Sequence, residues 1–251
     1  MDNTDETMNR TDEEIFNFAY ELAMRDATIR TAFRGTTIYV LLAKDNPDTK
    51  YKATDDDKKR ADCAKSAVRR YIVKILKNEL KTKDEHDNSF MEAVKEVINA
   101  FEGYKDNDSS FSLGNAQKLI NMTAKYMFMA TYNRPKLREN FKCCHCPMDN
   151  QLINKVAKYV GLLVEEYQEI TMEYAEEMLK DYAGKRKKIG DWAKLDGFGW
   201  SKLNSEKGRA IYDTYQETIR FLSSNTTILK KHIGVDSPLS PLEFDFFVWG
   251  K

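Results

Sequence analysis

Apolar residues recur at intervals of three and four along most of the chain, and strict polar–apolar alternation is nearly absent. The first run is Ile15, Phe16, Ala19, Leu22 and Ala23. Thr11 and Glu14 stand before it at the spacing of a capping box, so a helix is predicted from there. Residues 1–10 read as a disordered, frayed tail. A second run carries Ala64, Val68, Ile72, Ile75 and Leu76 on one face. Lys81 to Asn88 reads as a charged turn, and Ser89 with Glu92 as the capping box of a third helix bearing Phe90, Val94, Val97, Ile98 and Phe101. Gly103 to Ser110 interrupts the pattern. A helix from about Leu113 to Ala130 follows, its stripe formed by Leu119, Met122, Tyr126, Met127 and Ala130.

The second half of the chain is predicted in the same way. Asn133 to Lys142 reads as a basic loop, and Pro147 as the first position of a helix reaching about Tyr159. Leu162 to Tyr182 reads as an acidic amphipathic helix and Gly184 to Trp200 as a loop. Asn204 to Ser223 is helical by the alignment of Ile211, Tyr215, Thr218 and Leu222. The aromatic tail Pro241 to Trp249 reads as a plug for the core, through Phe244, Phe246, Phe247 and Trp249. Thr37 to Leu42 is the one stretch that reads as a strand. The expected fold is therefore all-α. Residues 11–251 are expected to form a single helical domain, with a two-lobe division near Gly103–Ser110 or Gly161 left open.

Composition narrows the functions available. Hydrophobic residues make up 41% of the 251 positions, enough for a packed core rather than a disordered chain. Lys plus Arg and Asp plus Glu are equal at 40 each, so no global field draws the protein onto nucleic acid, and any such contact needs a local basic groove. No apolar run is long enough to span a bilayer, and the start of the chain is acidic and polar rather than leader-like. Of the four cysteines, Cys143, Cys144 and Cys146 crowd together, which suits a reducing cytoplasm better than a disulfide framework. With His145 they invite a zinc reading, but adjacent residues point apart and no second ligand pair exists, so no metal or other cofactor is expected. His145 is likewise too close in sequence to Cys144 and Cys146 to meet either as a base. Phosphate-binding glycine loops, nucleophile elbows and zincin motifs are absent.

Two helix beginnings carry candidate chemistry. Lys118 falls in the first turns of its helix, just after Gly114, where the helix dipole disfavours the ammonium and so favours an amine nucleophile. Asp149 falls in the first turn of another helix, behind Pro147, where the dipole favours the carboxylate. If the two starts face one cleft, built around residues 111–160, the site holds the amine and acid needed to attack a sugar C1′ and stabilise an oxocarbenium-like transition state.

Gly114 to Lys118, together with Pro147-Met148-Asp149, resembles the helix-hairpin-helix DNA glycosylase superfamily, which sets a glycine-led turn before a catalytic lysine and Pro-x-Asp at a later helix start. Asp149 follows Lys118 by 31 positions, a spacing more similar to the archaeal-type 8-oxoguanine DNA glycosylases than to the common members. The resemblance covers roughly residues 90–160. The sequence departs from the pattern in having only Gly114 before the lysine, and in placing Ala116 or Gln117 where the backbone would approach a phosphate. The resemblance implies a two-lobed helical fold with a cleft between the lobes, Lys118 as nucleophile and Asp149 as catalytic carboxylate. It also implies an oxidised purine flipped out of damaged DNA and excised through a lysine Schiff base. Asn115, Gln117, Trp192 and Trp200 are the candidates for substrate binding. Arg134, Lys136, Arg138, Lys142, Lys185 and Arg186 are the candidates for the DNA backbone. The alternative is a non-catalytic α-helical binding or regulatory protein, in which Lys118 is a surface lysine and Asp149 a helix cap.

Overall fold

The computed structural model describes residues 8–28, 55–102, 105–106, 109–149, 152–153, 155–156, 159, 203 and 206–249. The expected strand at Thr37–Leu42, the acidic helix at Leu162–Tyr182 and the loop at Gly184–Trp200 lie outside these residues. The fold is all-α, apart from a two-residue antiparallel bridge pairing Lys105 with Ser110 and Asp106 with Ser109. The chain divides into two compact units, Met1–Cys144 and His145–Lys251. The division falls between the two positions at which the sequence suggested one.

The first unit is built from α1 (Arg10–Thr28), α2 (Asp55–Leu76), α3 (Lys83–Ala100), α4 (Leu113–Ala130) and the short α5 (Pro135–Glu139). Two of the expected helix starts are corrected. α1 is capped by Asn9, whose side-chain oxygen accepts the Asp12 N–H at 2.9 Å, and Thr11 lies inside the helix. α3 begins at Lys83, and the capping box is Thr82 with Glu85. Ser89 is a buried mid-helix residue. Both pairs match the same four-residue motif. Asp84 and Glu85 decide for the earlier one, because acidic residues in a first turn complement the positive end of the helix dipole.

Glu85 accepts the main-chain hydrogens of Lys81 and Thr82 at 2.7 and 2.9 Å, and these bonds, Thr82's first, hold its carboxyl below the usual value. A depressed carboxylate contributes stability that is present above its unfolded pKa and lost as pH falls through the folded one. The melting temperature of Glu85→Gln should therefore lie below that of wild type at pH 7. The gap should narrow as pH falls below the ordinary glutamate range and close once the depressed folded value is passed and the wild-type side chain is protonated. A gap that persists into acid would exclude the charge as its cause.

α2 and α3 form a tight antiparallel-type hairpin across Lys77–Thr82, where Asn78 takes the left-handed conformation (φ 56°) that asparagine tolerates. Tyr71 packs edge-on against Phe90 with ring centroids 6.0 Å apart, and Arg70 pairs with Glu96 outside them. α1 is tied to α2 by Arg69, whose guanidinium grips Glu13 at 2.8 and 3.0 Å. α4 packs chiefly on α1, and also on α3 and α2. Its buried residues run without a break from Leu113 to Lys125 and include Met127 and Phe128. A helix wrapped on all sides cannot be explained by the single apolar stripe the sequence shows.

The second unit contains α6 (Glu206–Ser224), α7 (Thr226–Ile228), which continues into a π-helical turn at Leu229–Ile233, and α8 (Pro241–Trp249). Gly234 ends the π turn with φ 76° and returns its N–H to the Leu229 carbonyl, a conformation suited to glycine. α8 packs on α6, with Leu242, Phe244 and Val248 in the core. Phe247 is 43% exposed, so the aromatic tail is only partly a plug.

Candidate functional site

The start of α4 is fixed by a reciprocal cap. Asn115 donates its main-chain N–H to Ser112 Oγ, and Asn115 Oδ1 accepts from the Ser112 N–H and Oγ at 3.1 and 2.7 Å. The Asn115 amide also donates to the Ala27 carbonyl at 3.1 Å, tying the helix start to the end of α1. The structure thus gives this candidate substrate contact a part in the frame of the first unit.

Beyond the cap, Gly114, Lys118, Asn121, Lys125 and Phe128 follow one another at intervals of four and three and share one face of α4. Gln117 flanks this face and accepts the Asn121 amide at 3.1 Å. Lys118 is 7% exposed and Lys125 9%, so neither is the surface lysine that the blander sequence reading assigned. Lysine is almost never fully buried without a partner for its charge, and a polar face inside a helical core is costly unless its groups are satisfied. Tyr126, one step round the helix, donates to Asp26 at 2.6 Å, and burial followed by that bond raises its pKa.

Asp149 belongs to the second unit. Residues 144–149 are neither helix nor strand, and helical structure is present at Leu152, Ile153, Lys155, Val156 and Tyr159. Pro147 therefore precedes the helix rather than opening it. Asp149 is the capping residue: one carboxylate oxygen accepts the Leu152 N–H at 2.9 Å and its carbonyl accepts the Ile153 N–H at 2.8 Å.

The segment leading to Asp149 is held by side chains of α6. His145 Nδ1 lies 2.8 Å from the Tyr212 hydroxyl. The Gln216 amide binds both main-chain groups of Cys146, accepting its N–H at 2.9 Å and donating to its carbonyl at 2.7 Å. The Tyr215 hydroxyl donates to the Pro147 carbonyl at 3.3 Å. Burial pushes the Tyr215 pKa well up, and Cys146, Asp149, Asp245 and Tyr212 raise it further in that order. A tyrosine so placed is neutral and serves as a donor. Asp245 of α8, 1% exposed, thus brings a second acidic side chain into the surroundings of Tyr215. Tyr212, Gln216 and Asp245 were not singled out from the sequence, and Tyr215 was read only as part of the apolar stripe of its helix. The available signal was a glutamine and two tyrosines at helical spacing on a face that otherwise reads as core.

The basic candidates separate. Arg134 donates to the nearly buried Asp12 carboxylate at 2.7 Å, and Arg138 lies 3.6 Å above the Phe128 ring. Lys142 pairs loosely with Glu139 at 3.4 Å, and Lys136 is exposed. The stretch predicted as loop contains α5, with Pro135 at its first position. Arg134→Ala should cost about 1–3 kcal/mol of stability, because it strips a charged partner from a buried carboxylate. Chemical denaturation measures this. An unchanged midpoint with weakened duplex binding would instead make Arg134 a phosphate contact. Trp192, Trp200, Lys185 and Arg186 lie outside the described residues. No group of three or more histidine, cysteine or acidic side chains able to hold a metal ion occurs among the described residues. No described helix is long and apolar enough to cross a membrane.

Comparison with protein-family models, with curated proteins and with solved structures finds no match to this chain.

Proposed function

We propose that the protein is a DNA glycosylase with AP-lyase activity, acting on an oxidised purine such as 8-oxoguanine. The observation that carries this reading is the burial of Lys118, two turns or less from a doubly capped helix start and beside the amides of Gln117 and Asn121. Lysine is rarely buried to this extent unless its charge is held, so the position is specified by its surroundings rather than by solubility. In this reading the Lys118 amine attacks C1′ of the damaged nucleoside, the glycosidic C–N bond breaks, and the base leaves with a proton. The carboxylate of Asp149 stabilises positive charge at C1′ as that bond lengthens. The sugar opens to an imine on Lys118, and loss of a C2′ proton then expels the 3′ phosphate.

The test is borohydride trapping of the full-length protein on duplexes carrying 8-oxoguanine and a panel of other damaged bases. A covalent adduct with a lesion, and none with undamaged DNA, is the expected result. No adduct with any lesion would remove the reading. One set of observations favours the second reading, a non-catalytic helical binding module: Asn115 and Asp149 both already serve as helix caps. That reading expects DNA binding without trapping, or neither.

A further inference from the structure

We propose that Gln216 is the positioning residue for Asp149, holding the Cys146–Pro147 segment by both main-chain groups of Cys146 so that the carboxylate two residues beyond Pro147 is fixed in place. This inference rests on the glycosylase reading and assigns a further residue to that site.

Cys144 to Met148 are buried, yet the segment lies in no helix or sheet that would pair its polar groups. Buried main-chain groups must find partners. Cys146 and Pro147 together offer one N–H and two carbonyls, since proline has no N–H. All three are bonded by α6, two by Gln216 and one by Tyr215. Gln216 is 2% exposed, so water does not compete for its amide. Tyr212, Tyr215 and Gln216 stand at i, i+3 and i+4 on one helix face, and they engage His145, Pro147 and Cys146.

The restraint reaches Asp149 from both sides. Upstream, Gln216 fixes Cys146, and the ring of Pro147 fixes its own φ. Downstream, the Leu152 N–H fixes one oxygen of the carboxylate. Glutamine suits the upstream task because its amide presents a donor and an acceptor side by side, which no other uncharged side chain but asparagine does. Asparagine is one methylene shorter.

The experiment separates base excision, which needs Asp149, from imine formation on a ready-made abasic site, which needs Lys118. Gln216→Met keeps the volume and removes both hydrogen bonds. Its single-turnover excision rate should fall about 100-fold, the loss that a misplacement of about 1 Å can cause. Trapping on abasic DNA should stay within about twofold of wild type, and duplex affinity likewise, since neither uses a displaced Asp149. Gln216→Glu retains the acceptor for the Cys146 N–H and should give an intermediate excision rate. In hydrogen-exchange measurements the Cys146 amide should lose protection in Gln216→Met. Equal excision by Gln216→Met and wild type would overturn the assignment while leaving the glycosylase reading intact. A parallel fall in excision and abasic trapping in both variants would also overturn it, marking Gln216 as merely structural. Failure of wild type to excise any base would overturn the reading and this role together.

Discussion

If the proposed role of Lys118 holds, Lys118→Gln should abolish the borohydride-trapped adduct and lower base excision by about 1000-fold or more, equivalent to roughly 4 kcal/mol of transition-state stabilisation. Glutamine is close to lysine in length and carries an amide that cannot form an imine. It also sits comfortably on a face that already holds Gln117 and Asn121, so the fold should survive the change. Duplex affinity should change little, because a residue acting as nucleophile contributes to bond making rather than to grip. Lys125 is the internal control. It shares the face with Lys118 and is nearly as buried, but lies seven residues farther from the helix start. Lys125→Gln should retain the adduct. An adduct that persists in Lys118→Gln and disappears in Lys125→Gln would move the nucleophile two turns along α4.

The second large effect is on stability. Phe128→Ala should destabilise the first unit by about 3–5 kcal/mol, the usual range for removing a buried aromatic ring. Phe128 is 1% exposed, lies 6.1 Å from the Phe141 ring and carries the Arg138 guanidinium on its face at 3.6 Å. The truncation opens a cavity beneath a cation that stays behind. Urea denaturation measures the loss, and a double-mutant cycle with Arg138→Ala isolates the cation–ring contact, expected at about 0.5–1 kcal/mol because the guanidinium is still partly open to solvent. A loss below about 1 kcal/mol would mean that the end of α4 closes over the gap.

Much of the helical framework was legible because helical periodicity survives wherever one face is buried. α4 was placed at its observed limits, and Ala64, Val68, Ile72 and Ile75 are buried as their spacing implied. Helix starts were harder to read. Of the hydroxyl residues at Thr11, Thr82 and Ser89, each followed three positions later by Glu, only Thr82 forms a capping box. Ser240 with Glu243, flanking Pro241 at the head of α8, carries the same signal and forms the same reciprocal bonds, but the dense aromatic run that follows lacks the helical spacing that would mark it as a helix start. The candidate site was legible only in part. Lys118 and Asp149 stand out by position, but the residues around them reveal themselves only through tertiary contact. No periodicity distinguishes a Gln216 that binds the main chain of Cys146 from one that points to water. The buried polar face of α4 was invisible for a related reason: a polar stripe looks solvated in sequence whether or not something covers it.

The pairing of α1 with α4 also bears on how the chain acquires its structure. The Asn115–Ala27 bond closes a loop of 88 residues, whereas the Tyr71–His86 contact within the α2–α3 hairpin spans 15. Short-range pairs are entropically cheaper to form, so the hairpin is the natural nucleus and α1 joins afterwards. The helix carrying Lys118 is then completed late in assembly, when α1 docks against it.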